Sequence, residues 1–334
     1  MKHCRLGLWA LILLLVGMTA DAAETTLRIT LQLPLKSHIG QNLLLFKTAV
    51  EKASQGEIAI EIYDAAQLYK DNEVPQAVSS GEIEMGVASL TRFVDEIPAV
   101  DIFDLPFTFN TEALVRAATA QDSPIRRSID TAILATGSRV LWWQAYGSAI
   151  LLSKDGPLKT PAAIQGKKVR VFGKTLGRFV EAAGGIPELI SGSEQYQAYQ
   201  NGVVDIGMTG VSSIGSRSLW QVMDWITVTN HADIEFVVLI NENYWQALPG
   251  SHKEIITQAA VKADAAVRDA IYQIEAQAYA FAAEQGMSTY KLTPEEVKAW
   301  KAVAQPVVEE YLASAGELGR QLYDAALKLQ EETR

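Results

Sequence analysis

Ala77-Val-Ser-Ser-Gly-Glu-Ile-Glu-Met-Gly-Val87 returns later in the chain as Ala198-Tyr-Gln-Asn-Gly-Val-Val-Asp-Ile-Gly-Met208. The shared skeleton is Ala-x3-Gly-x2-acid-apolar-Gly-apolar. It reads as a helix end, a glycine C-cap, a tight turn and a buried strand. One such unit in each half of the chain predicts two similar α/β lobes. Ahead of the first copy, Leu27–Leu33 and Ile58–Tyr63 alternate as strands. Ile39–Ala53 has helical spacing, and Asp71 is placed to cap a helix running to Ser80. The order β-α-β-α-β implies a mostly parallel sheet.

Around the second copy lies Gly166-Lys-Lys-Val-Arg-Val-Phe-Gly173, a short strand with Arg170 among apolar residues. Val140–Ala145, Ala149–Ser153, Trp225–Thr229 and Phe236–Asn241 read as further strands. After Pro249 the Ala-rich run Ser251–Gln285 predicts a helix long enough to cross both lobes, unless it breaks near Asp269. Pro294–Ser314 and Glu317–Thr333 predict two more helices.

The chain has 334 residues, 49% hydrophobic and 20% charged, with a net charge of −10. It has no basic run of the kind that nucleic acid requires. Lys2 and Arg5 precede the apolar run Leu6–Met18, and Ala20 and Ala22 form an Ala-x-Ala site. This pattern predicts an export signal cleaved near Ala22/Ala23. Cys4 is the only cysteine, so the exported protein would hold no disulfide.

Catalytic patterns are missing from the sequence. Gly173-Lys174-Thr175 fails as a phosphate loop, because Lys168 stands where that loop needs glycine. Gly210-Val-Ser-Ser-Ile-Gly215 is one residue too long for a nucleophile elbow. The four histidines lack metal-ligand spacing. Neither a cofactor nor a metal is expected, and no enzyme activity.

Binding residues are easier to name. Arg170 can grip a carboxylate through paired hydrogen bonds. Ligands of α/β lobes bind beyond the carboxyl ends of strands, which brings in Ser89, Leu90, Thr209 and Gly210. Phe172, Trp143, Tyr146, Ser148, Gln32, Asn72 and Asp233 complete the candidate lining. Trp142 and Trp143, adjacent on a strand, must face opposite sides. Asp205 or Glu235 could instead neutralise Arg170, leaving an aromatic and acidic pocket for an amine. Acid pairs such as Asp101/Asp104 read as solvated faces or caps.

Taken together, Gly81-Glu-Ile-Glu-Met-Gly86, Asp104-Leu-Pro-Phe107, Lys159-Thr-Pro161, Gly166–Val171, Ser193-Glu-x-Tyr196, Gly202–Asp205 and Thr229-Asn-His231 resemble one family in order and spacing. It is the solute-binding proteins of tripartite ATP-independent periplasmic (TRAP) transporters, dicarboxylate-binding type. The resemblance implies a type II periplasmic-binding-protein fold of two α/β lobes with an interlobe cleft. Residues 23–147 with about 236–275 would form one lobe, and 148–235 with about 276–303 the other. The helices from about 304 to 334 would pack back on them. It also implies a periplasmic monomer that delivers its ligand to a membrane permease of small and large subunits, with Arg170 on the ligand's carboxylate. The sequence departs from the family at three places. Ser148 aligns with a second arginine, Gly192 with a phenylalanine and Thr209 with an asparagine. These departures predict a monocarboxylate with an apolar or aromatic part.

Overall fold

The computed structural model describes residues 24–333, so the expected export signal lies outside the described residues. Its strands are β1 (Thr25–Leu31), β2 (Ile58–Tyr63), β3 (Met85–Ser89), β4 (Ser138–Ser153) and β5 (Lys168–Val171). They continue with β6 (Ile186–Leu189), β7 (Gly207–Gly210), β8 (Trp225–Val228), β9 (Asp233–Asn241) and β10 (Ser288–Lys291). β1 pairs in parallel with β2 and with β3, as the opening β-α-β-α-β pattern requires.

The two lobes share one strand. From Ser138 to Ser148, β4 pairs antiparallel with β9 in the first lobe. From Ala149 onward it pairs with β7 and β8 in the second. The two strands expected at Val140–Ala145 and Ala149–Ser153 are therefore one strand, interrupted by bulges at Val140/Trp142 and Ala145/Gly147. Gly147, at φ +96°, supplies the second irregularity. β5 and β6 run in parallel, and β5 joins β7 through the Val169–Ile206 bridge.

The long helix spans Gly250–Glu284 without a break at Asp269. At about 1.5 Å per residue it is roughly 50 Å long. It packs on the helix His38–Ala53, on β4 and on the turn Ser213–Ser216. The C-terminal helices also touch both lobes. Pro294–Ser314 packs on Lys174–Ala182, and Gly316–Glu332 on the turn Pro98–Asp104. Among the described residues, no helix is long and apolar enough to cross a membrane.

The repeated skeleton has the same physical meaning in both lobes. Gly81 and Gly202 adopt left-handed φ values of +81° and +66°. The next residue then returns an N–H to the helix, Glu82 to the Ala77 carbonyl and Val203 to the Ala198 carbonyl. The strand glycines let the helix press close. A Cβ on Gly86 would lie 2.6 Å from Val74 Cγ1, and one on Gly207 would lie 2.7 Å from the Tyr199 hydroxyl.

The lobes touch along one side through Asp101 and Asp104, which are buried rather than solvated. Asp101 Oδ2 accepts from the Thr175 N–H at 3.3 Å and the Thr175 hydroxyl at 2.8 Å, at the start of the helix Lys174–Ala182. Thr91 donates to the Phe172 carbonyl at 2.9 Å, and Lys70 pairs with Glu194 at 2.8 Å. Burial pushes the Asp101 carboxyl up to about 6, against the downward pull of the Thr175 donors.

Two outcomes follow from this packing. Gly86→Ala overpacks the β3 contact and should cost about 1–3 kcal/mol in urea unfolding, whereas an unchanged midpoint would contradict the close approach. Asp101 ionises near 3.8 when unperturbed, so the fold keeps a proton that the unfolded chain loses as pH rises from about 4 to 6. That stabilisation is present at low pH and lost through about 6. Asp101→Asn cannot ionise and keeps an acceptor for Thr175. Its melting temperature relative to wild type should therefore climb between pH 4 and pH 7, and a flat or falling difference would contradict the shift.

Candidate functional site

The cleft between the lobes is built outward from β5. Val169, Arg170 and Val171 are all buried there. Arg170 is 3% exposed and is held by backbone alone. Its Nε donates to the Ile190 carbonyl at 3.0 Å and its Nη1 to the Met208 carbonyl at 2.6 Å. Among the described residues, Nη2 has no hydrogen-bond partner and no carboxylate forms an ion pair with the group. Burial pulls its pKa down to about 10, which leaves it charged at neutral pH. The Phe172 ring lies 5.4 Å from the guanidinium carbon.

A second guanidinium reaches the same cavity from Arg217. Its Nη1 donates to the Tyr146 hydroxyl and its Nη2 to Gln32 Oε1, both at 3.1 Å. Ser218, at φ +57°, turns the chain immediately after it. Gly192 makes the space. A Cβ there would lie 2.6 Å from Arg217 Nη2 and 2.7 Å from Gln32 Oε1. The room left by the expected phenylalanine is thus already filled, and the cleft does not depend on Arg170 alone.

The first lobe supplies the opposite wall. Arg92 pairs with Asp71 at 2.7 Å, and Ser191 donates to the other Asp71 oxygen at 2.6 Å. Asp71 was expected to cap a helix. That helix begins instead at Val74 behind Glu73, and Asp71 neutralises Arg92. Ser89 presents a buried hydroxyl without a partner, and Ile234 and Phe236 add apolar surface. The Thr209 hydroxyl bonds Ser213 at 3.0 Å. The cavity is small, about 30 Å³.

Of the candidates named from the sequence, Gln32, Ser89, Tyr146, Arg170, Phe172 and Thr209 line this cavity. The other six candidates do not line it. Trp143 is core: its indole N–H donates to Asp130 Oδ1 at 2.8 Å and its ring packs edge-on to Phe103. Trp142 does face the other way, against Phe46. Leu90 is buried in the first lobe's core, and Asn72 is solvent-exposed. Gly210 lies behind the site, where a Cβ would meet the Tyr146 ring at 2.8 Å. Ser148 is not part of the lining, and its backbone N–H donates to Glu275 Oε1 at 2.8 Å. Asp233 alternates with Ile234 along β9 and so faces away from the cleft, where burial beside Glu235 raises its pKa well above the usual range.

The acids proposed to neutralise Arg170 are engaged elsewhere. Asp205 accepts the Lys168 N–H at 2.8 Å, and Glu235 holds Arg268 through two bonds of 2.6 and 2.7 Å. Away from the cleft, the fold brings His252 within 4.8 Å of the exposed acids Glu24 and Glu57, which sequence spacing did not suggest.

The comparisons agree with this geometry. The profile described as "Bacterial extracellular solute-binding protein, family 7" (DctP) matches residues 31–315. The C4-dicarboxylate-binding periplasmic protein DctP of Rhodobacter capsulatus is 28% identical over 83% of this chain and 83% of its own. Among solved structures, the sugar acid-binding protein DctPAm of Advenella mimigardefordensis, in complex with galactonate, superposes with a TM-score of 0.87. It is 24% identical, over 92% of this chain and all of that one. DctP7, a Bordetella pertussis extracytoplasmic solute receptor binding pyroglutamic acid, gives a TM-score of 0.86 at 20% identity, over 90% and 99%. These structures establish the two-lobed fold, and the family match establishes the kind of protein. The chain belongs to the bacterial extracellular solute-binding protein family 7, the DctP-type solute receptors of TRAP transporters.

Proposed function

We propose that this protein, exported to the periplasm with cleavage near Ala22/Ala23, captures a small organic acid in the interlobe cleft and delivers it to a TRAP permease of small and large subunits. The observation that carries this reading is the Arg170 charge, buried and without a carboxylate partner among the described residues. A buried cation without a counter-ion is costly, and a bound carboxylate would supply one. Nη2 of Arg170 is the free donor that meets it.

The amine alternative loses its support, because Asp205 and Glu235 are committed to other donors. The expectation of a monocarboxylate rested on a lone arginine and an empty space at Gly192, and Arg217 removes both premises. The carboxylate on Arg170 remains the firm element of the reading. Residues from both lobes line the cavity, so a bound ligand favours the state in which the lobes touch and drives closure by its differential affinity. The receptor acts as a monomer with one ligand per cleft.

A thermal-shift screen of organic acids, amino acids and amines should single out acids, since a ligand that binds only the folded state raises its melting temperature. Arg170→Ala should weaken the best of these acids by at least about tenfold in calorimetry, the loss of a charge-assisted pair worth about 1.5–3 kcal/mol. An unchanged dissociation constant would refute the role, and so would tight binding of amines alone.

A further inference from the structure

We infer that Glu24, Glu57 and His252 form a binding site for a divalent transition metal of the zinc class, at the end of the first lobe's sheet that lies away from the cleft. The site is independent of the organic-acid reading and serves the fold rather than the ligand.

Strand pairing sets the two acids side by side. β1 and β2 run in parallel, with Thr25 opposite Ile58. Glu24 and Glu57 are the residues just ahead of these strands, and the Thr25 N–H donates to the Glu57 carbonyl at 3.0 Å. Both acids are exposed. Among the described residues, neither carboxylate has a lysine or arginine nitrogen within 4.0 Å. Two like charges thus stand together without a fixed counter-ion.

The long helix brings an imidazole to them. His252 lies in its first turn and is 2% exposed. Its Nδ1 is 3.3 Å from the Thr25 hydroxyl oxygen, and its Nε2 is 3.5 Å from Glu57 Oε2. With Nδ1–H donating to Thr25, Nε2 turns its lone pair toward the carboxylates, which is how an outer partner orients a histidine ligand. Among the described residues, Nε2 has no hydrogen-bond partner outside this cluster.

The distances suit a small ion. One ligand atom from each of the three residues lies within 4.8 Å of the others. Ligand atoms around a tetrahedral zinc, each about 2.0–2.1 Å from the ion, stand roughly 3.4 Å apart. The 3.5 Å edge between His252 and Glu57 is close to that length, and the exposed Glu24 side chain can swing in to complete the set. An imidazole nitrogen beside two carboxylate oxygens suits zinc-class ions, whereas calcium and magnesium favour oxygen ligands alone. Three protein ligands leave a fourth position for water.

An ion here joins the start of β1, the turn before β2 and the first turn of the helix that spans both lobes. Gln32 of the cleft lies beyond the other end of β1, roughly 25 Å away at about 3.3 Å per residue. The metal therefore clamps the lobe without touching the ligand cavity. A simple ion pair between protonated His252 and Glu57 makes a different prediction, because it needs neither a metal nor Glu24.

Calorimetry and thermal melting of the untagged exported chain, stripped of metal with a chelator, separate the two. Zinc chloride should bind at one site per chain and raise the melting temperature, and calcium chloride at the same concentration should do neither. Glu24→Gln, at an exposed position, should weaken zinc by about tenfold or more, and Thr25→Val, which removes the orienting hydroxyl, by about 10–100-fold. His252→Gln should abolish binding, whereas Glu254→Gln, exposed on the same helix, should leave it unchanged. Zinc binding that survives Glu24→Gln and His252→Gln, or that requires a bound organic acid, would place the ion elsewhere and overturn the inference. A wild type that binds no zinc, or binds calcium as well as zinc, would overturn it too.

Discussion

A guanidinium held by two backbone carbonyls, with no carboxylate partner among the described residues, is the constraint on which this molecule turns. The carbonyls of Ile190 and Met208 fix the Arg170 side chain without neutralising it. Ile190 directly follows β6 and Met208 lies within β7, so the second lobe's strands set the direction of the charge. The Phe172 ring lies 5.4 Å from the guanidinium carbon. Nearby, the same chemistry is resolved the other way. Arg92, on the same cavity, has Asp71 as its counter-ion, whereas Arg170 has none among the described residues.

The connection between the lobes gives this charge its use. β4 begins in one sheet and ends in the other, changing partners between Ser148 and Ala149. The long helix runs beside β4, and the C-terminal helices tie to both lobes, with Tyr311 of Pro294–Ser314 donating to the Ala99 carbonyl at 2.9 Å. Such connections hold the lobes in register. Among the contacts across the cleft, Asp101 on Thr175, Thr91 on the Phe172 carbonyl and Lys70 on Glu194 are hydrogen bonds and an ion pair. Contacts of this kind can be made and broken as a ligand enters and leaves.

Much of the fold was legible because its signals are local. The C-cap glycines Gly81 and Gly202 and the strand glycines Gly86 and Gly207 follow turn and packing rules that span only a few residues. Arg170 was legible for the same reason, as a charge inside an apolar strand. What stayed hidden depends on distant segments meeting. Trp143 is fixed in the core by Asp130 and Phe103, partners that no local signal identifies. Arg217 lies on an irregular turn with no periodicity to mark it. Its only trace in the sequence was the absence of a side chain at Gly192, which reads as empty space until the structure places a guanidinium there. Asp71 looked like a helix cap, because nothing local reveals that Arg92 will fold back onto it.

The most direct test is a crystal structure of the protein with the acid that most raises its melting temperature. The account predicts that acid between the lobes, with a carboxylate oxygen accepting from Nη2 of Arg170 while the Ile190 and Met208 carbonyls keep the other donors. A ligand bound outside the cleft, or one in the cleft that leaves Arg170 without an anionic partner, would contradict it.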